Sequence, residues 1–375
     1  MVYGMFFRTI TFLLCSTYAS TALIDHEEEQ HLQNIRQLTY GGIHSNPVFS
    51  SDGRYLLFGA QDVVGKHRYG HLCKQLYYLD LEQPSQHPQL VSNKYGTYAS
   101  AVFFPSGHSI AAASNVHNFE PVDLKSYDQT CSNPNNLPLF SSTIGENYDI
   151  YHMDMGKSYR PYRLTWNYPH ISSVEMSMSR NGTIAYVEVD TNGTRKLLLM
   201  SGNGTAKRIP VADTFDYIAT PSFSLDGTQL AFYGHNGSSK NVGSPFGIHV
   251  VQMHNLSEIT LVNSKQLSVI KTPTFHRNGQ KIFVSASTVK QNVTEQEIFL
   301  LDIFRVAPEQ ITFLRNNTFP LLNPNGTRFV WMSSRNSSAT ESNIFIADWI
   351  ENPKLKSRKW YNDLLYMIWG EGKDK

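Results

Sequence analysis

The chain has 375 residues, a formal net charge of +1 and only 17% charged residues. That balance excludes the basic footprint of a nucleic-acid binder and implies no strongly acidic partner. Hydrophobic content is ordinary at 41%, so the chain can bury a sizeable core.

Residues 1–22 read as a secretory signal peptide. Arg8 is the basic n-region, Ile10, Phe12, Leu13, Leu14 and Cys15 form a short apolar core, and Ser20-Thr21-Ala22 supplies small residues, with cleavage expected after Ala22. The apolar run is shorter than the ~20 residues a bilayer span needs. An uncleaved anchor is the competing reading; the expectation is a secreted, extracellular protein.

A strand, IRQLT (35–39), comes next, and six units follow. Each opens with a pattern closed by glycine: PVFSSDG (47–53), AVFFPSG (101–107), MSMSRNG (176–182), PSFSLDG (221–227), PTFHRNG (273–279) and PLLNPNG (320–326). Asp, Ser or Asn before Gly supplies the left-handed backbone of a tight hairpin. A second apolar run follows each turn: YLLFGA, SIAAAS, TIAYVEV, QLAFYG, KIFVSA and RFVWMS. A third run comes later in each unit: QLYYLD (75–80), DIYHMD (149–154), KLLLMS (196–201), GIHVVQ (247–252), EIFLLD (297–302) and NIFIAD (343–348). The fourth runs, QLV (89–91), YRLT (162–165), KRIP (207–210), EITLV (258–262) and EQIT (309–312), number five for six units. The missing one is IRQLT at the other end of the chain, and a closed ring returns it to the last blade. The expectation is therefore an all-β, six-bladed β-propeller over 34–349, closed by an N-terminal latch strand. An open two-sheet sandwich is the rival. A tail, 350–375, follows, with Trp360, Leu364 and Ile368 at helical spacing behind Lys354, Lys356, Arg358 and Lys359. It reads as an amphipathic helix that packs on its own domain, with partner or membrane-surface contact as alternatives.

The units PVFSSDGRYLLFGA and PSFSLDGTQLAFYG, with their QLT and DIYHMD companions, resemble the TolB-type (PD40) β-propeller repeat, whose core reads roughly PxFSPDGxxIAFxS. That resemblance implies the propeller fold and leaves function open, since such propellers include periplasmic scaffolds, gating domains of serine peptidases and lyases. Peptidase activity is not expected: the chain has no Gly-x-Ser-x-Gly elbow, and the residues after Trp349 are too few for a hydrolase domain. Related lyases hold a divalent ion at the channel mouth. By that analogy His44, His71 and His170 are the metal candidates, on loops that also carry His67, His117 and His235, although solvated loop histidines are the commoner reading. Asp80, Asp154, Asp302 and Asp348 recur at the ends of third strands, which indicates turns rather than catalysis. No cofactor and no catalytic residue is expected.

With Cys15 in the leader, Cys73 and Cys131 are expected to pair, closing a loop of about 58 residues between adjacent blades. Nine Asn-x-Ser/Thr sequons, at Asn181, Asn192, Asn203, Asn236, Asn255, Asn292, Asn316, Asn325 and Asn336, all fall in blades 3 to 6 and on expected loops. Blades 1 and 2 carry none, and they carry the two longest loops. A protein or peptide partner is therefore expected at their top face, through Lys66, Arg68, Tyr69 and His71 on one loop and Phe119, Leu137 and Phe140 on the other. The functional expectation is a protein-binding or scaffold propeller; an extracellular metal-assisted polysaccharide lyase or hydrolase is the alternative.

Overall fold

The protein is described here from a computed structural model, which covers residues 26–62, 69–83, 87–94, 96–118, 147–155, 161–167, 170–204, 208–237, 246–262, 264, 266–288, 295–304, 308–336 and 341–353. The leader, Cys131 and the expected helical tail from 354 onward lie outside these residues.

The described strands form six four-stranded antiparallel sheets. Blade 1 comprises Ile43–Phe49, Tyr55–Gln61, Gln75–Asp80 and Gln89–Leu90; blade 2, Tyr98–Phe103, Ser109–Ser114, Asp149–Asp154 and Tyr162–Arg163. Blade 3 comprises Ile171–Met178, Thr183–Asp190, Arg195–Ser201 and Ile209–Val211; blade 4, Tyr217–Phe223, Gln229–His235, Gly247–Gln252 and Asn255–Val262. Blade 5 comprises Leu267–Phe275, Lys281–Thr288, Glu297–Asp302 and Pro308–Gln310. Blade 6 has Asn317–Leu322, Arg328–Ser333 and Asn343–Trp349, and its fourth strand is the N-terminal Leu32–Gln37. The latch thus begins at Leu32, earlier than the sequence reading placed it, because Leu32 pairs with Trp349 across a bulge at Asn34. Blade 4's outer strand also begins early, so Asn255 opens a strand instead of lying in a loop.

Three local devices repeat. The first is the turn, in which Gly53 donates its N–H to the Ser50 carbonyl at 2.9 Å with φ 74°. The glycines at 107, 182, 227, 279 and 326 do the same, with φ between 67° and 84°. The second explains the proline of the repeat. Asn46, Glu175, Thr220, Thr272 and Phe319 sit at bulges of the inner strands with φ of 46° to 52°. Pro47, Pro221, Pro273 and Pro320 follow four of them. A bulge leaves its extra residue out of the ladder, which is where a strand tolerates a residue without an N–H. The third is the hydroxyl ending the outer strand. Ser92, Thr165, Thr312 and Thr39 each accept a backbone N–H near the start of the third strand, from Leu76, Ile150, Ile298 and Ile344, at 2.8 to 3.1 Å. Thr39 lies beyond the latch ladder yet makes this bond, so the Leu-Thr motif is as much an anchor as a strand.

Apolar packing lies between blades. Leu56, Phe58 and Tyr77 of blade 1 share a cluster with Val330, Met332 and Ile344 of blade 6, which closes the ring. The seam between blades 5 and 6 also carries charge. Arg335 donates to both carboxylate oxygens of Glu29, one bond measuring 2.8 Å, and both side chains are buried. Glu29 accepts the Phe313 N–H at 2.9 Å as well. Nearby, Glu297 accepts from Thr312 and Asn317 at 2.5 and 2.8 Å, and Trp331 donates to Asn317 at 3.0 Å. Burial pushes the Glu297 carboxyl up to about 7 despite those bonds.

Two outcomes follow from the seam. Glu29→Ala strands the Arg335 guanidinium in the interior and should cost about 3 kcal/mol or more in urea unfolding; an unchanged midpoint would refute the clasp. Glu297 binds its proton more tightly folded than unfolded. Its contribution is therefore present below about 4.5 and is lost as pH rises through about 7. Stability of wild type minus that of Glu297→Gln should fall by on the order of 3 kcal/mol across that window.

Candidate functional site

Successive strands alternate direction, so the loops between second and third strands and the connections between blades share one end of the ring, called the top. On blade 1, Asp62 is buried and accepts the N–H groups of Tyr69, Gly70 and His71 at 2.7, 2.7 and 3.2 Å. A carboxylate holding three consecutive amides fixes the returning arm of this loop. His44 lies beneath it, fully buried. Its Nδ1–H donates to the Ser342 carbonyl at 2.6 Å, which leaves Nε2 to accept the Tyr69 hydroxyl at 2.6 Å. Burial pushes the imidazole down to about 4, so it is neutral at physiological pH.

On blade 2 the buried carboxylate stands at the start of the third strand, where blade 1 has Gln75. Asp149, the first residue of the third strand, is fully buried and accepts from Arg163 Nη2, from Thr165 Oγ1 at 2.6 Å and from the Asn167 N–H at 3.0 Å. His117 Nε2 stands 3.7 Å from Asp149, and its Nδ1 is 2.8 Å from the Tyr151 hydroxyl. Burial, then the Arg163 charge, holds His117 below its ordinary value. The Arg163 guanidinium lies over the indole of Trp166 at 4.4 Å. Trp166 is 72% exposed and Tyr162 66% exposed.

On blade 4, His235 Nδ1 lies 2.7 Å from Asp216 Oδ1, and Phe246 stacks on His235 with ring centroids 4.8 Å apart.

These positions can be set against the residues singled out from sequence. Tyr69 and His44 meet by a hydrogen bond, and His71 joins the same loop base through its backbone N–H on Asp62. Both His44 nitrogens are engaged there, and His170 is exposed on the connection into blade 3. Among the described residues no three His, Cys, Asp or Glu side chains converge as metal ligands. Cys73 is buried; Lys66, Arg68, Phe119, Cys131, Leu137, Phe140 and Asn292 lie outside the described residues. Asn181, Asn192, Asn203, Asn255, Asn316, Asn325 and Asn336 are exposed, and Asn236 is half-buried.

Sequence reading missed Tyr162, Arg163 and Trp166 as surface features. The available signal was the aromatic after the outer-strand threonine, present as Tyr40, Trp166 and Phe313. It was lost because aromatics in a propeller are usually core.

No known family profile matches the sequence, and no curated protein matches it. Solved structures do share its architecture. A TolB from Agrobacterium tumefaciens superimposes with a TM-score of 0.53 at 15% identity, covering 82% of this chain and 91% of that one. A TolB from Acinetobacter baumannii gives 0.51 at 14% identity, with 84% of this chain and 65% of that one covered, so this chain spans under two thirds of that protein. A gluconolactonase from Xanthomonas campestris gives 0.54 at 10% identity, covering 87% and 94%. At such identities the likeness is one of fold. This chain is a TolB-like six-bladed β-propeller in architecture.

The loop base yields a direct test. Tyr69→Phe leaves the buried His44 Nε2 without its donor and should cost about 1–3 kcal/mol in chemical denaturation. No loss of stability would show that the bond contributes nothing to the loop.

Proposed function

We propose that this protein is a secreted, glycosylated propeller that binds a protein partner through the top face of blades 1 and 2. The observation that carries the reading is the exposed Trp166 stacked on Arg163, with Tyr162 also exposed on the same outer-strand segment. Tyr, Trp and Arg are the residues most enriched where interfaces concentrate their binding energy. The sequon distribution supports the same sector: glycans on blades 3 to 6 would screen those surfaces and leave blades 1 and 2 accessible. A Cys73–Cys131 bridge belongs to the proposal, tying the blade 1 loop to the long loop of blade 2, and Cys73 is buried at the base of the first.

The test is a pull-down from native extracellular fluid with the secreted, glycosylated chain. Trp166→Ala should weaken capture of the recovered partner by about 30-fold or more, the loss of a central aromatic anchor. A new sequon on blade 1, Lys66→Asn with Arg68→Thr, should block capture by bulk. Undiminished capture by both variants would overturn the sector. Near-stoichiometric divalent metal in the purified protein would favour a lyase or hydrolase instead.

A further inference from the structure

The internal repeats provide their own control for blade 2. In blade 5, Gln310 donates Nε2–H to the Thr312 carbonyl at 2.9 Å; in blade 6, Gln37 donates to the Thr39 carbonyl at 2.8 Å. Arg163 occupies the same place in blade 2, two residues before Thr165, and its Nε–H makes the same bond at 3.0 Å. A neutral glutamine therefore suffices to anchor the outer strand. Blade 6 also manages with neutral Asn343 where blade 2 has Asp149.

Blade 5 has a carboxyl at that place too, Glu297 bonded to Thr312, so the arginine is what sets blade 2 apart from blades 5 and 6. Arg163 is gripped at one end by the Thr165 carbonyl and at the other by a buried carboxylate, which itself holds Thr165 and Asn167. The guanidinium cannot swing away without costing the buried carboxylate its cationic partner. Among the described residues, the exposed group it holds is Trp166, stacked on the guanidinium.

We propose that Asp149 and Arg163 are positioning residues that immobilise Trp166 as a preorganised anchor for a protein partner offering an indole-sized apolar pocket. The proposal rests on the partner-binding reading of blade 2. Fixing the side chain beforehand removes an ordering cost of about 0.5–1.5 kcal/mol from association, equivalent to about 2- to 10-fold in affinity.

The decisive variant is Asp149→Asn combined with Arg163→Gln, which installs the blade 6 arrangement and leaves no unpaired charge. The measurement is 19F NMR of the 5-fluorotryptophan-labelled protein, with the Trp166 resonance assigned by Trp166→Phe, together with acrylamide quenching of the Trp166 contribution. The double variant should unfold at nearly the wild-type denaturant midpoint, while the Trp166 resonance narrows, moves toward its denatured position and becomes about 2-fold more quenchable. Arg163→Lys, which keeps the charge but not the planar stack, should release Trp166 similarly and serves if the double variant does not fold. A Trp166 resonance and quenching constant identical to wild type in the folded variants would overturn the proposal. Both readouts report on Trp166 without any partner, so their failure is separate from failure of the binding reading, which Trp166→Ala capture decides.

Discussion

A propeller whose last blade lacked its fourth strand would expose the edge of Asn343–Trp349, a row of unpaired backbone groups. Leu32–Gln37 pairs with that edge from the opposite end of the chain. A segment this short has little apolar surface of its own. It is fixed by specific bonds at both ends: the Thr39 hydroxyl on the Ile344 amide at one, and His31, stacked on Trp349 and bonded to the Ile350 carbonyl at 2.7 Å, at the other. The buried Glu29–Arg335 pair lies just ahead of it. Such a pair is a poor source of net stability but is costly to break from one side. It therefore favours one closed arrangement over partly opened ones.

Once closed, the ring holds each blade between two neighbours, and the repeated devices become interchangeable parts. Turn glycines, bulge prolines and outer-strand hydroxyls recur because every blade meets the same local geometry. Departures from the common pattern then become informative. Blade 4 has an extended outer strand, and blade 5 buries a carboxylate against neutral donors. Blade 2 replaces a neutral anchor with Arg163 and Asp149 and sets an exposed tryptophan beside them. The rigid scaffold makes such a substitution possible without disturbing the fold, which is how propellers present distinct surfaces on nearly identical blades.

The top-face histidines show why residue type alone was a weak guide. His44, His71 and His170 share one face, as the strand directions required, but their surroundings differ. His44 is locked neutral between a carbonyl and a tyrosine hydroxyl, whereas His170 faces solvent. Whether an imidazole is a structural donor or an open ligand depends on what sits within about 3 Å of each nitrogen, and partners far apart in sequence supply those contacts.

The blade count, the strand order within each blade and the need for the N-terminal strand to close the ring were all legible in the residues. These follow from local rules: alternating apolar runs, turn residues with left-handed backbone, and a strand tally one short at one end. The sequence also contained the bulge prolines and the Leu-Thr endings, but not their purpose, because both act through partners on neighbouring strands. The Glu29–Arg335 clasp was not legible, because its residues lie 306 positions apart and meet only on folding. Neither was the burial of Asp149 or the exposure of Trp166. Apolar or charged character predicts average burial; what a particular side chain meets is set by the packing of one blade against the next.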